Sequence, residues 1–222
     1  MKTDYDELYR NFRQEGCAGW GGVSYKARLD TLKSALTHWK DRLQLAHSLT
    51  GLDLGCGTGD IVEDMRSFGW DSHGCDISSE AIAWAQSQFP HLQNLRAMDV
   101  LTESYEPGVF DVVFDGHTLH CFTGINRQAV FKKISQWLKP QGYLLINHMI
   151  GDPKYNFDYG EFDSANRLQL RHGKPYRHMP ENENKLKREL QSFGFQFVQG
   201  YVSAGELWDC FHGVYTYNHS LS

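Results

Sequence analysis

The run Leu52-Asp53-Leu54-Gly55-Cys56-Gly57-Thr58-Gly59-Asp60 puts three alternate glycines directly after an apolar strand and at the opening of a helix. Glycines in such a turn let the backbone bend sharply and approach a ligand where any Cβ would collide. A dinucleotide fingerprint would place its third glycine at position 60, and Asp60 stands there instead. Asp53, inside the strand, would repel a phosphate but suits a ligand carrying an ammonium or sulfonium, so charge complementarity favours a cationic nucleoside. Asp76 lies 19 residues beyond Gly57 and ends the next predicted strand, where a carboxylate can accept both hydroxyls of a ribose. Asp99 ends the strand after that, in Met98-Asp99-Val100, and can accept an adenine amino proton. Each aspartate alone reads equally well as a turn former or a helix cap; the ordered set of three points to a nucleoside site.

Such a set needs a sheet to hold it. From about residue 49 helical and strand-like stretches alternate, the sequence form of an α/β sheet with crossover helices. Strands are predicted at about 49–54, 71–76, 94–98, 110–115 and 143–149, with helices at about 59–68, 79–88 and 125–138. The second helix opens on a capping box around Ser78-Ser79-Glu80-Ala81, and Lys139-Pro140-Gln141-Gly142 stops the third. After Ile150 the pattern breaks for about 30 residues, as an irregular insertion of the kind that often forms a lid. A helix at about 181–193 and strands at about 195–203 and 207–217 follow, and residues 1–48, with a helix at about 24–46, read as a cap. The expected organisation is one domain over 1–222: cap 1–48, core 49–150, lid 151–180, and C-terminal helix and strands 181–222.

Composition narrows the class. The 222 residues carry 22 Lys and Arg against 27 Asp and Glu, a net charge of −5, which disfavours a surface that tracks nucleic acid throughout. That average hides a basic stretch: residues 167–188 hold seven Lys or Arg against Glu181 and Glu183, leaving −10 on the remainder. An acidic body with a basic flap suggests a substrate with an anionic group. No apolar run approaches the roughly 20 residues that cross a bilayer, so no membrane partner is expected. The acidic N-terminus lacks the apolar stretch of a signal peptide, and five scattered cysteines suit a reducing compartment, so the expected location is cytoplasmic.

The motifs, taken in order, resemble those of class I S-adenosylmethionine-dependent methyltransferases: Leu52 to Gly59, Gly74-Cys75-Asp76-Ile77-Ser78, Met98-Asp99-Val100, Phe110-Asp111-Val112-Val113-Phe114-Asp115, and Leu138-Lys139-Pro140-Gln141-Gly142-Tyr143-Leu144-Leu145-Ile146. The resemblance covers about residues 49–150. It implies a Rossmann-like seven-stranded sheet in order 3-2-1-4-5-7-6, the last strand antiparallel, with helices on both faces and an N-terminal helical cap. It implies S-adenosylmethionine as cofactor and S-adenosylhomocysteine as product. Gly55 and Gly57 then line the methionine part, Asp76 holds the ribose and Asp99 with Val100 meets the adenine, with Asp53, Cys56, Ile77 and Asp115 also counted as cofactor-binding. A Gly-Trp segment like that of some members implies that Trp20, Tyr25 and Arg28 close over the methionine end, the alternative being an aromatic cap packed on the sheet. Gln141 departs from the family, which often has glycine there.

Methyl transfer from a sulfonium is an in-line displacement with a neutral leaving group, so it rests on positioning plus a base if the nucleophile arrives protonated. Asp115-Gly116-His117-Thr118-Leu119-His120-Cys121 follows the fourth strand, and Asn147-His148-Met149 closes the fifth. His117, His120 and His148 are therefore the candidate catalytic residues, each with a buried structural histidine as its alternative. His117, His120, Cys121 and His148 also have the right types for a metal, but the spacing lacks the close pairing zinc sites show, and the reading adopted has none. In the insertion, Tyr155, Phe157, Tyr159, Phe162 and Tyr176 are candidates to wall a substrate, and Arg167, Arg171, Lys174 and Arg177 to meet a carboxylate or phosphate. The function expected is methyl transfer to an oxygen or nitrogen of a small molecule. The alternatives are an RNA or protein methyltransferase and a cofactor-binding regulatory module. The oligomeric state stays open.

Overall fold

A computed structural model describes residues 4–154 and 161–218. Its elements in chain order are helix α1 (Tyr5–Gln14), helix α2 (Tyr25–Arg42), strand β1 (Thr50–Leu54), helix α3 (Asp60–Ser67), β2 (Asp71–Asp76), α4 (Ser79–Gln88), β3 (Leu95–Ala97), β4 (Phe110–Gly116), α5 (Gly124–Trp137) and β5 (Leu138–Ile150). There follow β6 (Phe162–Asp163), β7 (Leu168–Arg171), β8 (Lys174–His178), α6 (Glu183–Gln191), β9 (Phe195–Ser203) and β10 (Asp209–Tyr217). Short 3-10 turns occupy Gly22–Ser24 and Leu119–Cys121.

Seven strands form one sheet in the order β3-β2-β1-β4-β5-β10-β9. This is the path expected from the sequence once the three short strands β6 to β8 are set aside. β1 pairs in parallel with β2 and β4, Leu52 facing His73 on one side and Val113 on the other. β10 runs antiparallel to both β5 and β9, with His212 opposite Asn147 and Tyr201. Phe110, Val112, Val113 and Phe114 in β4 are all fully buried, the pattern of a strand covered on both faces, which is why its sequence is a continuous apolar run.

The chain divides into two compact units, residues 1–104 with 112–116 and residues 105–111 with 117–222. In the first, Cys56, Val62, Ile82, Ala85, Leu92 and Leu95 form a buried cluster with Phe89 packed on it, so the glycine loop stands on well-packed ground. Burying each large apolar side chain there contributes roughly 1.5–3 kcal/mol. In the second, Leu186 and Leu190 of α6 and Phe211, Val214 and Tyr215 of β10 are fully buried.

Several expectations need correction. Helix α1 was not foreseen; Asp4 caps it, accepting from the Glu7 amide at 2.9 Å. The helix expected over 24–46 ends at Arg42 because Gln44 turns left-handed, at φ 51°. The insertion is not wholly irregular, since β6, β7 and β8 form an antiparallel sheet of their own in its second half. Strand β5 starts at Leu138, five residues early, and passes through Gln141 at φ 62°, the position where a glycine would sit without strain. The capping box before α4 is half formed, because the residue three beyond Ser78 is Ala81: Ser78 Oγ accepts the Ala81 amide, and no glutamate answers it. Among the described residues no helix is long and apolar enough to cross a membrane.

Candidate functional site

In the first unit the chain leaves β1 and makes a left-handed turn at each of Gly55, Gly57 and Gly59, with φ of 72°, 51° and 84°. Side chains with a Cβ rarely adopt that region, which is the physical reason for the alternate glycines. The amides of Gly55 and Cys56 both donate to the Cys75 carbonyl, at 2.8 and 2.9 Å, and pin the loop to the end of β2. Asp76 completes the tie: its Oδ2 accepts the Gly57 amide at 3.0 Å and its Oδ1 accepts the Ser78 amide at 2.9 Å. A Cβ on Gly57 would lie 2.8 Å from the Tyr9 hydroxyl, so the loop is closely covered here.

The electrostatics of this loop are unusual for an acidic cluster. Burial pushes the Asp76 carboxyl up to about 6, against the pull of its amide donors at Ser78 and Gly57. Burial raises Asp53 well above the carboxylate range too, reinforced by the charges of Asp115, Asp76 and Asp60. Both aspartates are shut away from water, so a positively charged ligand would be favoured here. Asp99 sits beyond β3, where its Oδ1 accepts the Leu101 amide at 3.0 Å, beside buried Val100. Ile77, next to Asp76, is 39% exposed, an apolar side chain left open at the strand end.

The N-terminal candidates gather beside this loop. The Tyr25 hydroxyl is bonded to Thr58 Oγ1 at 2.6 Å and donates to Asp60, fastening α2 to the glycine turn. Arg28 donates to the Trp20 carbonyl, and the Trp20 ring packs among Tyr5, Tyr9 and Phe12 at centroid distances of 5.4–5.6 Å. Two residues here escaped the sequence reading. Tyr9 is buried over the loop, and Asp6 caps α4 by accepting from Ser78 Oγ (2.7 Å), Ser79 Oγ (3.1 Å) and the Glu80 amide (3.2 Å). The available signal was Asp4 as an N-cap followed by aromatics at positions 5, 9 and 12, one helical face.

In the second unit the histidines do come together. His117 follows β4 with φ 74°, a left-handed conformation that a non-glycine residue holds only under constraint from its surroundings. His120 lies in the 3-10 turn and His148 in β5; the His120 ring meets His117 and His148 edge-on, at 5.9 and 6.2 Å between centroids. His148 Nδ1 stands 2.7 Å from the Met149 carbonyl. A carbonyl only accepts, so Nδ1 carries the proton and Nε2 holds the lone pair. That Nε2 is buried with no hydrogen-bond partner among the described residues, and so is His120 Nδ1. Both rings are kept neutral by burial, helped at His120 by the charge of Arg177 and at His148 by that of Arg127. Arg127 is itself buried, pairing with both oxygens of Glu189 at 2.7 and 2.9 Å and donating to the Leu119 carbonyl, which holds the histidine turn in place.

His212 contrasts with His148. Its two nitrogens are taken by Ser203 Oγ at 2.8 Å and Asn147 Oδ1 at 2.5 Å, with Tyr201 stacked at 4.6 Å, so it ties β5, β10 and β9 together. Among the described residues no group of three His, Cys, Asp or Glu side chains is placed to hold a metal ion. Of the insertion's aromatic candidates, Tyr155, Phe157 and Tyr159 lie outside the described residues, whereas Phe162 carries the Arg167 guanidinium over its ring at 4.8 Å.

Residues 52–146 match a family model described as a methyltransferase domain. The chain is similar to the sterol 4-C-methyltransferase strm-1 of Caenorhabditis elegans, 26% identical over 155 residues that cover 67% of this chain and 46% of that protein. It is also similar to the phosphoethanolamine N-methyltransferase of Plasmodium falciparum, 28% identical over 119 residues, covering 52% and 45%. The chain thus spans about half the length of these relatives. In fold it is similar to the Burkholderia thailandensis 1,6-didemethyltoxoflavin-N1-methyltransferase, crystallised with 1,6-didemethyltoxoflavin and S-adenosylhomocysteine, with a TM-score of 0.67 and 18% identity over 97% of this chain and 86% of that one. Over residues 52–146 the chain thus matches a methyltransferase domain, and the glycine loop, the strand-end aspartates and the strand order agree with its resemblance to the class I S-adenosylmethionine-dependent methyltransferases.

Proposed function

We propose that this protein transfers a methyl group from S-adenosylmethionine to an oxygen or nitrogen of a small molecule that bears an anionic group. One observation carries the cofactor half of the reading: Asp53 and Asp76 are buried beside a left-handed glycine loop, and burial raises both carboxyls, so the site favours a ligand that brings a cation and hydroxyl donors. S-adenosylmethionine offers both, and when bound supplies a methyl group on a positively charged sulfur that leaves as a neutral thioether. Asp76 and Ile77 would hold the ribose, Asp99 and Val100 the adenine, and Gly55, Cys56 and Gly57 the methionine backbone, with Asp53 and Asp115 beside them. Tyr25, bonded to Thr58, and Arg28, bonded to the Trp20 carbonyl, would close the methionine end together with Trp20.

On the acceptor side His148 is the better base. Its Nε2 lone pair is preset by the Nδ1 bond to Met149 and lies buried without a competing donor among the described residues, which suits removal of a proton from a hydroxyl or ammonium. His117 and His120 frame it. The basic stretch 167–188 supports an anionic acceptor, and a relative named for phosphoethanolamine supports a small one. Incubating the protein with S-adenosylmethionine labelled in its methyl group and a fractionated metabolite extract tests this reading. Label should move to a small acidic species, and label found on RNA or protein alone would sink it.

A further inference from the structure

The four cations that the insertion offers are not equivalent. Arg167 is spent on its own segment: Nε donates to the Met179 carbonyl at 2.9 Å, one terminal nitrogen to Asp152 at 2.5 Å and the other to the Gly151 carbonyl at 2.6 Å. Lys174 is exposed at the start of β8, and Arg171 leans on Tyr176 at 5.6 Å. Arg177 is different. Its guanidinium carbon lies 4.8 Å from the Tyr176 ring centroid and 5.9 Å from that of Trp208, so two aromatic faces attract its charge. Its Nε is buried and donates to nothing among the described residues, and no carboxylate there forms an ion pair with it. A guanidinium N–H closed off from water without an acceptor is unfavourable, and a carboxylate or phosphate is the acceptor its geometry matches.

The neighbourhood gives the fork a purpose. β8 packs on the 3-10 turn Leu119–Cys121 that carries His120, and the Arg177 charge is felt at the His120 ring. His120 in turn meets His148 edge-on. A donor without an acceptor and two imidazole nitrogens without partners among the described residues therefore occur in one region of the second unit.

We infer that Arg177 is the residue that binds the acceptor's anionic group, a carboxylate or phosphate seated on its guanidinium beside the His120 and His148 rings. That the anion belongs to a methyl acceptor rests on the methyltransferase reading; the anion site itself does not. Tyr176 and Trp208 flank the guanidinium, and a lysine there would keep the charge but lose the paired hydrogen bonds of the planar fork. An acceptor without the anionic group would leave the buried Nε unsatisfied and be rejected.

The test titrates the full chain with inorganic phosphate and, separately, with benzoate, following the His120 and His148 ring signals by NMR. Saturable shifts are expected with at least one of the two anions. Arg177→Ala should weaken that binding at least about tenfold and Arg177→Lys by less, as expected for loss of one charge-assisted contact. A response to phosphate alone assigns the site to a phosphorylated acceptor, and to benzoate alone, a carboxylate. The inference is overturned if neither anion moves the two rings in the unmodified protein, or if Arg177→Ala and Arg177→Gln bind as it does; the glutamine variant and the lysine variant stand in should alanine unfold the chain. S-adenosylhomocysteine binding, measured by calorimetry on the same samples, separates the two readings. Its absence from the unmodified protein sinks the methyltransferase reading and leaves the anion result standing, whereas intact binding with no anion site sinks only the assignment of Arg177.

Discussion

Replacing Asp76 by asparagine gives the sharpest physical check on the loop. The Asp76 carboxyl is raised from an ordinary 3.8 to about 6, and at roughly 1.4 kcal/mol for each pKa unit this is worth about 3 kcal/mol. Because the folded protein holds this proton more tightly than the unfolded chain, the stabilisation is complete below about pH 3.8 and is lost as pH climbs through 6. Asparagine has no such proton, so the difference in stability between the two proteins should change by most of that, about 2.4 kcal/mol, between pH 4 and 7, in favour of the variant as pH rises. For a chain of this size that corresponds to roughly 5–10 °C in the relative melting temperature. Other titrating groups cancel in the difference. Calorimetric melting of both ligand-free proteins at half-unit pH steps reads it directly. A constant difference across pH 4 to 7 would refute the buried, raised carboxylate. The same linkage predicts that S-adenosylhomocysteine, which favours the ionised form, binds about tenfold more weakly for each pH unit below 6.

His148→Ala should cut turnover roughly 10² to 10⁴-fold while leaving S-adenosylhomocysteine affinity unchanged, and a wild-type rate would pass the proton to water or to His117. Gly57→Ala places a Cβ 2.8 Å from the Tyr9 hydroxyl at a left-handed φ; it should destabilise the protein by about 1–2 kcal/mol or more, and Tyr9→Phe in the same chain should recover part of the loss. An unchanged melting temperature in the single variant would contradict the close approach. Asp6→Ala removes the acceptor that covers the start of α4 and should cost about 1 kcal/mol in thermal unfolding, with no loss expected if α1 does not dock there.

What the sequence made legible follows from how local each cause is. The glycine loop, β1, β2 and α4 can be read within a residue or so, because left-handed glycines, apolar runs and the Ser78 cap act over a few neighbours. The strand-end aspartates follow from the same register. The role of Asp6 depends on a contact with Ser78 across 72 positions, and no local pattern carries that. The small sheet of the insertion was missed for a different reason. Its strands are two to five residues long, too short for periodicity, yet Arg171-His172-Gly173-Lys174 is a two-residue hairpin with His172 at φ 51° and Gly173 at φ 71°, a turn the sequence signalled through the glycine. The histidines were picked out by type and position, but which nitrogen of His148 is available follows only from its bond to Met149.

Calorimetric titration of the unmodified protein and of Asp76→Ala with S-adenosylhomocysteine, and of the unmodified protein with NAD, tests the central reading most directly. The account predicts one S-adenosylhomocysteine per chain, strongly weakened by the substitution, and no heat from NAD. Binding of NAD, or S-adenosylhomocysteine affinity indifferent to Asp76, would contradict it.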